Sequence, residues 1–278
     1  MPDTQILKGE CMLLKIRHET IYTYSSPALL STQYLRLLPR NGPLQQVSNW
    51  TLETPMPWFI TKDMFQNSVA VLTVDKPHTE IRIVAEGVVD VVRDGLATEP
   101  DIPLLPLGWF LRDTALTCPD NALRELAEEF AGVISQNHQM GLEQLSARIL
   151  EYMPYQSGVT DVATSASEAL AKGSGVCQDH THVFLTVCRL LGLPARYISG
   201  YLHAVDDSSH VATHAWAEVR LEDGWHGFDI SNGNRPGETH VQLAIGLDYM
   251  DACPVRGVRR GGADESLKAV AQVWQLNE

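Results

Sequence analysis

The sequence predicts an α+β protein: an N-terminal antiparallel β-sandwich, then a core of helices packed on an antiparallel sheet. Three observations carry this reading. Residues 13–93 read as short strands separated by turn signals, helices and then hairpin strands follow a proline-rich stretch, and strand and helix do not alternate as in a doubly wound fold.

With 278 residues and 44% hydrophobic content, the chain can bury a large core and divides into two domains. The expected units are residues 1–93, a linker at 94–108 and a second domain at 109–278. A net charge of -13 argues against nucleic acid or an anionic membrane surface as a partner, because both need clustered cations, and Arg256, Arg259 and Arg260 are too few to change this. No secretory-type apolar region opens the chain and no apolar run approaches the roughly 18 residues that span a bilayer, so the expected location is cytoplasmic. The five cysteines, Cys11, Cys118, Cys177, Cys188 and Cys253, are odd in number and far apart, which predicts reduced thiols. There is no internal repeat and no Walker-type phosphate loop.

In the first domain, Ile16–Tyr24 is rich in β-branched and aromatic residues, and further strand-like runs begin at Gln33, Val47, Trp58, Val69 and Glu80. Turn signals at Ser26-Pro27, Asn41-Gly42-Pro43, Gln66-Asn67 and Lys76-Pro77 separate them at sandwich spacing. Nothing there gathers a nucleophile with a base, which predicts a structural or substrate-shaping role. Pro100, Pro103 and Pro106 then disfavour helix and mark the linker.

In the second domain, Thr117 or Asp120 can cap a helix with the stripe Leu123, Leu126, Ala127, Phe130 and Ala131. A second helix is expected over about Gly141–Tyr152, and a short third one opens with the capping box Ser165/Glu168. Gly173 and Gly175 break the chain before Cys177, from which Phe184, Val187, Cys188 and Leu191 recur at helical spacing until Gly192 and Pro194. Cys177 therefore stands at a helix N-terminus, where the macrodipole and free N–H groups favour a thiolate. Strands follow at Ala195–Leu202, Thr213–Leu221 and Trp225–Ile230, the last two joined by Glu222-Asp223-Gly224.

Thiol-based acyl chemistry needs a thiolate, an imidazole and an acceptor that holds the imidazole. Cys177, His214 and Asp229 are the candidates. If Glu222 pairs with Trp225, Asp229 faces Glu218 and shares the face of His214, yet four residues of strand leave roughly 13 Å between them. Spacing alone does not close that gap.

These motifs carry a resemblance. Gly-Val-Cys-Gln-Asp, Leu-Gly-Leu-Pro-Ala-Arg-Tyr-Ile-Ser-Gly-Tyr, His-Ala-Trp-Ala-Glu-Val and Phe-Asp-Ile-Ser-Asn resemble the core of the transglutaminase-like superfamily, related to papain-like cysteine proteases. The start Ile-Arg-His-Glu-Thr-Ile-Tyr-Thr-Tyr and the tail from Leu247 resemble its bacterial cysteine-protease-like subgroup. The resemblance implies a papain/transglutaminase-like core with Cys177 as nucleophile, His214 as base and Asp229 as orienting carboxylate, and it implies that the distance is closed. One departure is visible: Ile230 and Ser231 stand where the family commonly continues with proline and threonine.

The implied activity is thiol-dependent hydrolysis of a peptide or carboxamide substrate through a thioester. The alternatives are amine transfer from the same intermediate or a non-catalytic binding module. No cofactor and no metal are expected. Cys177, His180, His182 and His214 are zinc-ligand types, but on a helix position 182 points away from 177 and 180. Cys188 is expected to be core packing, and His203, His210, His226 and His240 surface residues. One oxyanion donor is expected from the Cys177 backbone, the second from the loop holding Tyr152, Tyr155 and Gln156.

Overall fold

The structure, a computed structural model, describes residues 11–92, 101–102, 105–203 and 213–276. Its first sheet is organised around one strand, β1 (Cys11–Leu38). The first half of β1 pairs with β5 (His78–Val92) on one side and β11 (Glu265–Gln275) on the other. Its second half pairs with β4 (Ser68–Val74) and β10 (Val255–Gly261). β2 (Gln45–Glu53) extends the sheet beyond β5, and β3 (Trp58–Lys62) extends it beyond β4. All these pairings are antiparallel. Leu14 and Ile16 from the first half and Leu35 and Leu37 from the second join one hydrophobic core, so both halves of β1 bury their apolar side in common.

Two features differ from the sequence reading. Ser26-Pro27 predicts a turn, but β1 continues through it. The register shifts between Thr23 and Ala28 against β5 and between Ala28 and Leu30 against β10, and a proline, lacking an N–H, is tolerated where a ladder is interrupted. The sequence also places the tail within the 109–278 domain. Residues 255–275 instead pair with β1 in the first sheet. Glycines and arginines in β10 hide its strand character, and its partner lies more than two hundred residues away, beyond the reach of local pattern.

In the second unit, β6 (Ala195–Leu202), β7 (Thr213–Leu221), β8 (Gly224–Phe228) and β9 (His240–Gly246) form an antiparallel sheet in the order β8-β7-β6-β9. Ala215, Ala217 and Val219 pack on the helices, whereas Ile198 and Trp216 join Phe65 of the first unit and Phe110. The helices are α1 (Asn121–Gln136), α2 (His138–Tyr152), α3 (Ala166–Lys172), α4 (Cys177–Leu190) and the short α5 (Tyr249–Ala252). Asp120, rather than Thr117, caps α1 by accepting from the Leu123 N–H at 3.0 Å. Asn137 caps α2, which starts three residues earlier than Gly141. The Ser165/Glu168 capping box opens α3, and Gly173 closes it with φ of 66°.

The linker is pinned at its described end. Asp101 accepts from Arg220 at 2.9 Å and from the Trp225 indole at 2.8 Å. Pro100 and Pro103 lie outside the described residues. Two buried side-chain amides bind the units together more closely. β9 is an edge strand, and its exposed rung at Gln242 is matched by Gln45, which donates to the Gln242 carbonyl at 2.8 Å and accepts its N–H at 2.7 Å. Asn67 does the same for Ile245, at 2.7 and 2.9 Å. Each amide completes the edge as a neighbouring strand would.

Candidate active site

Cys177 is the first residue of α4, a helix buried from Gln178 to Arg189. Asp179, two residues on, reaches back to accept the Val176 N–H at 2.8 Å and also accepts from Thr160 at 2.7 Å. That fixes the turn presenting the thiol. Gly175 is required there, because a Cβ would lie 2.7 Å from the Asp179 carboxylate. Arg189 ties the other end of α4 down, donating to the carbonyls of Ala195 at 2.9 Å and Leu247 at 2.6 Å.

His214 lies at the start of β7, where one ring nitrogen meets Asp229 and the ring lines the same cleft as Cys177, close enough for the thiol to act on its charge. Its Nε2 lies 2.8 Å from Asp229 Oδ2. An ionised carboxylate only accepts, so Nε2 carries the proton and Nδ1 is left for the thiol. Burial alone would lower the pKa of His214, but hydrogen bonds and charge from Asp229 and Cys177 outweigh it and hold the pKa up at about 10. Asp229 is fully buried. Burial would raise its pKa, yet donation from His214 and His240 holds it well below the ordinary carboxylate range.

The distance left open by the sequence is closed by the hairpin. Leu221 pairs with Gly224, Val219 with His226 and Ala217 with Phe228. This register differs by two from the pairing of Glu222 with Trp225, which keeps Asp229 on the face of His214 while moving it two residues nearer. Past Phe228 the chain leaves the ladder in a tight loop, where Asp229 and Asn234 exchange backbone hydrogen bonds of 2.9 and 3.2 Å. Asn232 in that loop donates its side-chain amide to Asp229 Oδ2 at 2.6 Å.

The sequence reads His240 as a surface residue, and the structure corrects this. It is buried at the head of β9, with Nε2 3.0 Å from Asp229 Oδ2. The Gly237 backbone N–H donates to its Nδ1 at 3.3 Å, so that nitrogen is the acceptor and the donor Nε2–H faces Asp229. Trp216 packs edge-on against the ring, with centroids 5.4 Å apart. His226 lies on the hairpin, bonded to Asp223 at 2.6 Å, and His210 lies outside the described residues.

The zinc-type set named from sequence is not assembled. His180 is held between the Met153 carbonyl at 2.7 Å and Ser231 at 2.9 Å, and His182 accepts the Tyr249 N–H at 3.1 Å. The grouping among described residues with metal-ligand potential is instead His214, Asp229 and His240, with donor atoms within 4.8 Å of one another. In the observed geometry two imidazole N–H groups fill those contacts. Cys188 is fully buried in the core, and burial pushes its thiol pKa well up.

Of the three loop candidates for an oxyanion donor, Tyr155 is held against the turn that precedes the thiol. It bridges to Gly175, its neighbour Gln156 donates its N–H to the Gly175 carbonyl at 2.8 Å, and the charge of Cys177 contributes to the raised pKa of its hydroxyl, behind burial as the main cause. Tyr152 stacks under Arg148 and lines a separate hollow between helices.

Cys177 and His214 open onto a cleft of about 240 Å³ between the two units. β1 contributes Thr20 and Tyr22 to it and β11 contributes Leu267 and Ala269. The first unit is thus part of the site wall, which the sequence described only as structural or substrate-shaping.

An antiparallel sheet backed by a buried helix with a thiol at its N-terminus defines the transglutaminase-like class of fold. The chain belongs to the transglutaminase-like superfamily: "Transglutaminase-like superfamily" matches residues 124–230 and "Bacterial transglutaminase-like N-terminal region" matches residues 14–90. It is 28% identical over 289 residues to an uncharacterised protein of Mycobacterium leprae, covering 95% of this chain and 99% of that one. An uncharacterised Mycobacterium tuberculosis protein is also 28% identical, covering 91% of this chain and 89% of its own length. A solved structure from Cytophaga hutchinsonii, provisionally described as a cysteine protease, superposes with a TM-score of 0.79 at 23% identity, covering 97% of this chain and 92% of that one. That likeness shows the fold. The family is one of thiol-dependent hydrolases and transferases.

Proposed function

We propose that the protein is a thiol-dependent amide hydrolase acting on peptide or carboxamide substrates, with Cys177 as nucleophile, His214 as acid and base, and Asp229 as the residue that orients His214. The observation carrying this reading is His214 held between Cys177 and the buried Asp229, 2.8 Å from its Oδ2, at the floor of an interdomain cleft.

The Cys177 thiolate attacks the amide carbon, forming a C–S bond, and the carbonyl electron pair moves to oxygen. The N–H of Cys177, at the first helical position and without an intrahelical acceptor, points its dipole at that oxyanion. His214 gives its proton to the leaving nitrogen as the C–N bond breaks, which leaves a thioester. Neutral His214 then takes a proton from water, whose oxygen attacks the thioester and expels the thiolate. The products are an amine and a carboxylic acid. Asp229 keeps its charge throughout and favours the imidazolium. An amine replacing water would give acyl transfer by the same steps.

Cys177→Ala is the direct test. It removes the sulfur that forms the thioester in this mechanism, so amide turnover is expected to fall to background with an unchanged melting temperature. Retained turnover in that variant would overturn the mechanism.

A further inference from the structure

The wall of the cleft has a regular origin. In the antiparallel ladder of β1 and β11, Thr20 pairs with Ala269 and Tyr22 with Leu267. Alternate residues of a strand share a face, and directly opposed residues share it too. Thr20, Tyr22, Leu267 and Ala269 therefore form one contiguous patch on the first sheet, and all four line the same cleft as Cys177. Leu267 is 56% exposed, a large apolar side chain at the mouth of a cleft that holds a nucleophile.

The charge inventory of the cleft is equally specific. Among the described residues lining it there is no Asp, Glu, Lys or Arg. His18 lies deep in it, bonded to the Tyr201 hydroxyl at 3.0 Å, and burial lowers its pKa to about 4, so it is neutral near pH 7. Apart from the Cys177 and His214 pair, the lining offers no ionised partner. A charged substrate side chain placed there would lose water and gain nothing in exchange, whereas an apolar one would cover Leu267 and Tyr22.

We infer that the patch formed by Thr20, Tyr22, Leu267 and Ala269 is a specificity wall selecting substrates with an uncharged aliphatic or aromatic side chain beside the scissile amide, and disfavouring Lys, Arg, Asp and Glu there. This rests on the hydrolase reading above and adds the chemical class of the substrate. It also gives the C-terminal strand β11 a role, since half of the patch comes from it.

Two measurements on the full-length protein separate the inference from the reading beneath it. The first is turnover by the wild type of fluorogenic peptide amides varied at the residue beside the scissile bond. The second is binding of the same peptides to Cys177→Ala by fluorescence anisotropy, which needs no chemistry. Peptides with Leu or Phe are expected to exceed those with Lys, Arg, Asp or Glu by at least about 10-fold in both. In the Cys177→Ala background, Leu267→Asp is expected to weaken Leu and Phe peptides by about 10-fold and to move Lys and Arg peptides up the ranking. Leu267 is exposed, so a melting temperature within a few degrees of the parent would establish that this variant folds. Equal or tighter binding of charged peptides, insensitivity to Leu267→Asp, or no peptide binding at all overturns the specificity wall. Selective binding of apolar peptides without wild-type turnover upholds the wall and sinks the hydrolase reading instead.

Discussion

His214 and His240 converge on a single oxygen, with Nε2 atoms 2.8 and 3.0 Å from Asp229 Oδ2. One imidazole lines the cleft with the thiol, and the other is buried at the head of β9. The second lets a buried carboxylate stay ionised without its charge depending on His214 alone. The tautomer of His240 is set by the Gly237 N–H, so the donor it presents is fixed by the backbone.

His240→Phe removes that donor and keeps a ring of similar size. Asp229 then loses one of its anchors and gains freedom to rotate away from His214. The expected outcome is roughly a 10-fold loss of kcat with little change in KM. His240→Gln, which can still donate, should recover part of it. Steady-state kinetics on the two variants check this, and equal activity in all three proteins would remove His240 from the positioning of the site.

The pH dependence follows from the same contacts. The pKa of His214 is raised to about 10, so the imidazolium and its contribution to stability are fully present below its ordinary value near 6.5 and are lost as pH rises through about 10. Asp229 is depressed, so its contribution is present above its ordinary value and is lost as pH falls below it. The alkaline limb of kcat/KM in the wild type is expected well above pH 7. In Asp229→Ala it should move down by about 1–3 pH units. An alkaline limb that stays in place in Asp229→Ala would show that Asp229 does not support the imidazolium.

Gln45 and Asn67 make a stability prediction remote from the thiol. Asn67 is buried and pairs with both backbone groups of Ile245. Asn67→Leu leaves that N–H and carbonyl buried without partners, at a cost on the order of 2–4 kcal/mol. Gln45→Leu should cost a similar amount at Gln242. Chemical denaturation of the two single variants measures this, and changes below about 0.5 kcal/mol would show that the edge of β9 is satisfied otherwise.

What was legible in the sequence was local or carried by several motifs together. The start of α4 at Cys177 follows from Gly173, Gly175 and the apolar spacing after them, and the Ser165/Glu168 capping box forms as its spacing predicts. The shared face of His214 and Asp229 was legible because strand parity survives a two-residue change of register. Their distance was not, because it depends on Leu221 rather than Glu222 closing the hairpin. His240 was missed as an isolated histidine after a glycine, proline and threonine loop. The signal that could have placed it is the apolar run from Val241 to Leu247, which reads as a buried strand and sets its first residue at a sheet end. Pairing of residues 255–275 with β1 is a contact across the whole chain, and no periodicity within the segment specifies its partner.

Cysteine-resolved alkylation measures the proposed thiolate and imidazolium pair of Cys177 and His214 directly. All five cysteines would be labelled with iodoacetamide from pH 4 to pH 9 and read by mass spectrometry, in the wild type and in His214→Ala. The prediction is that Cys177 is alkylated fastest near and below neutral pH and loses that advantage without His214. Labelling of Cys177 no faster than an ordinary accessible thiol, or unchanged in His214→Ala, would contradict the pair and the chemistry built on it.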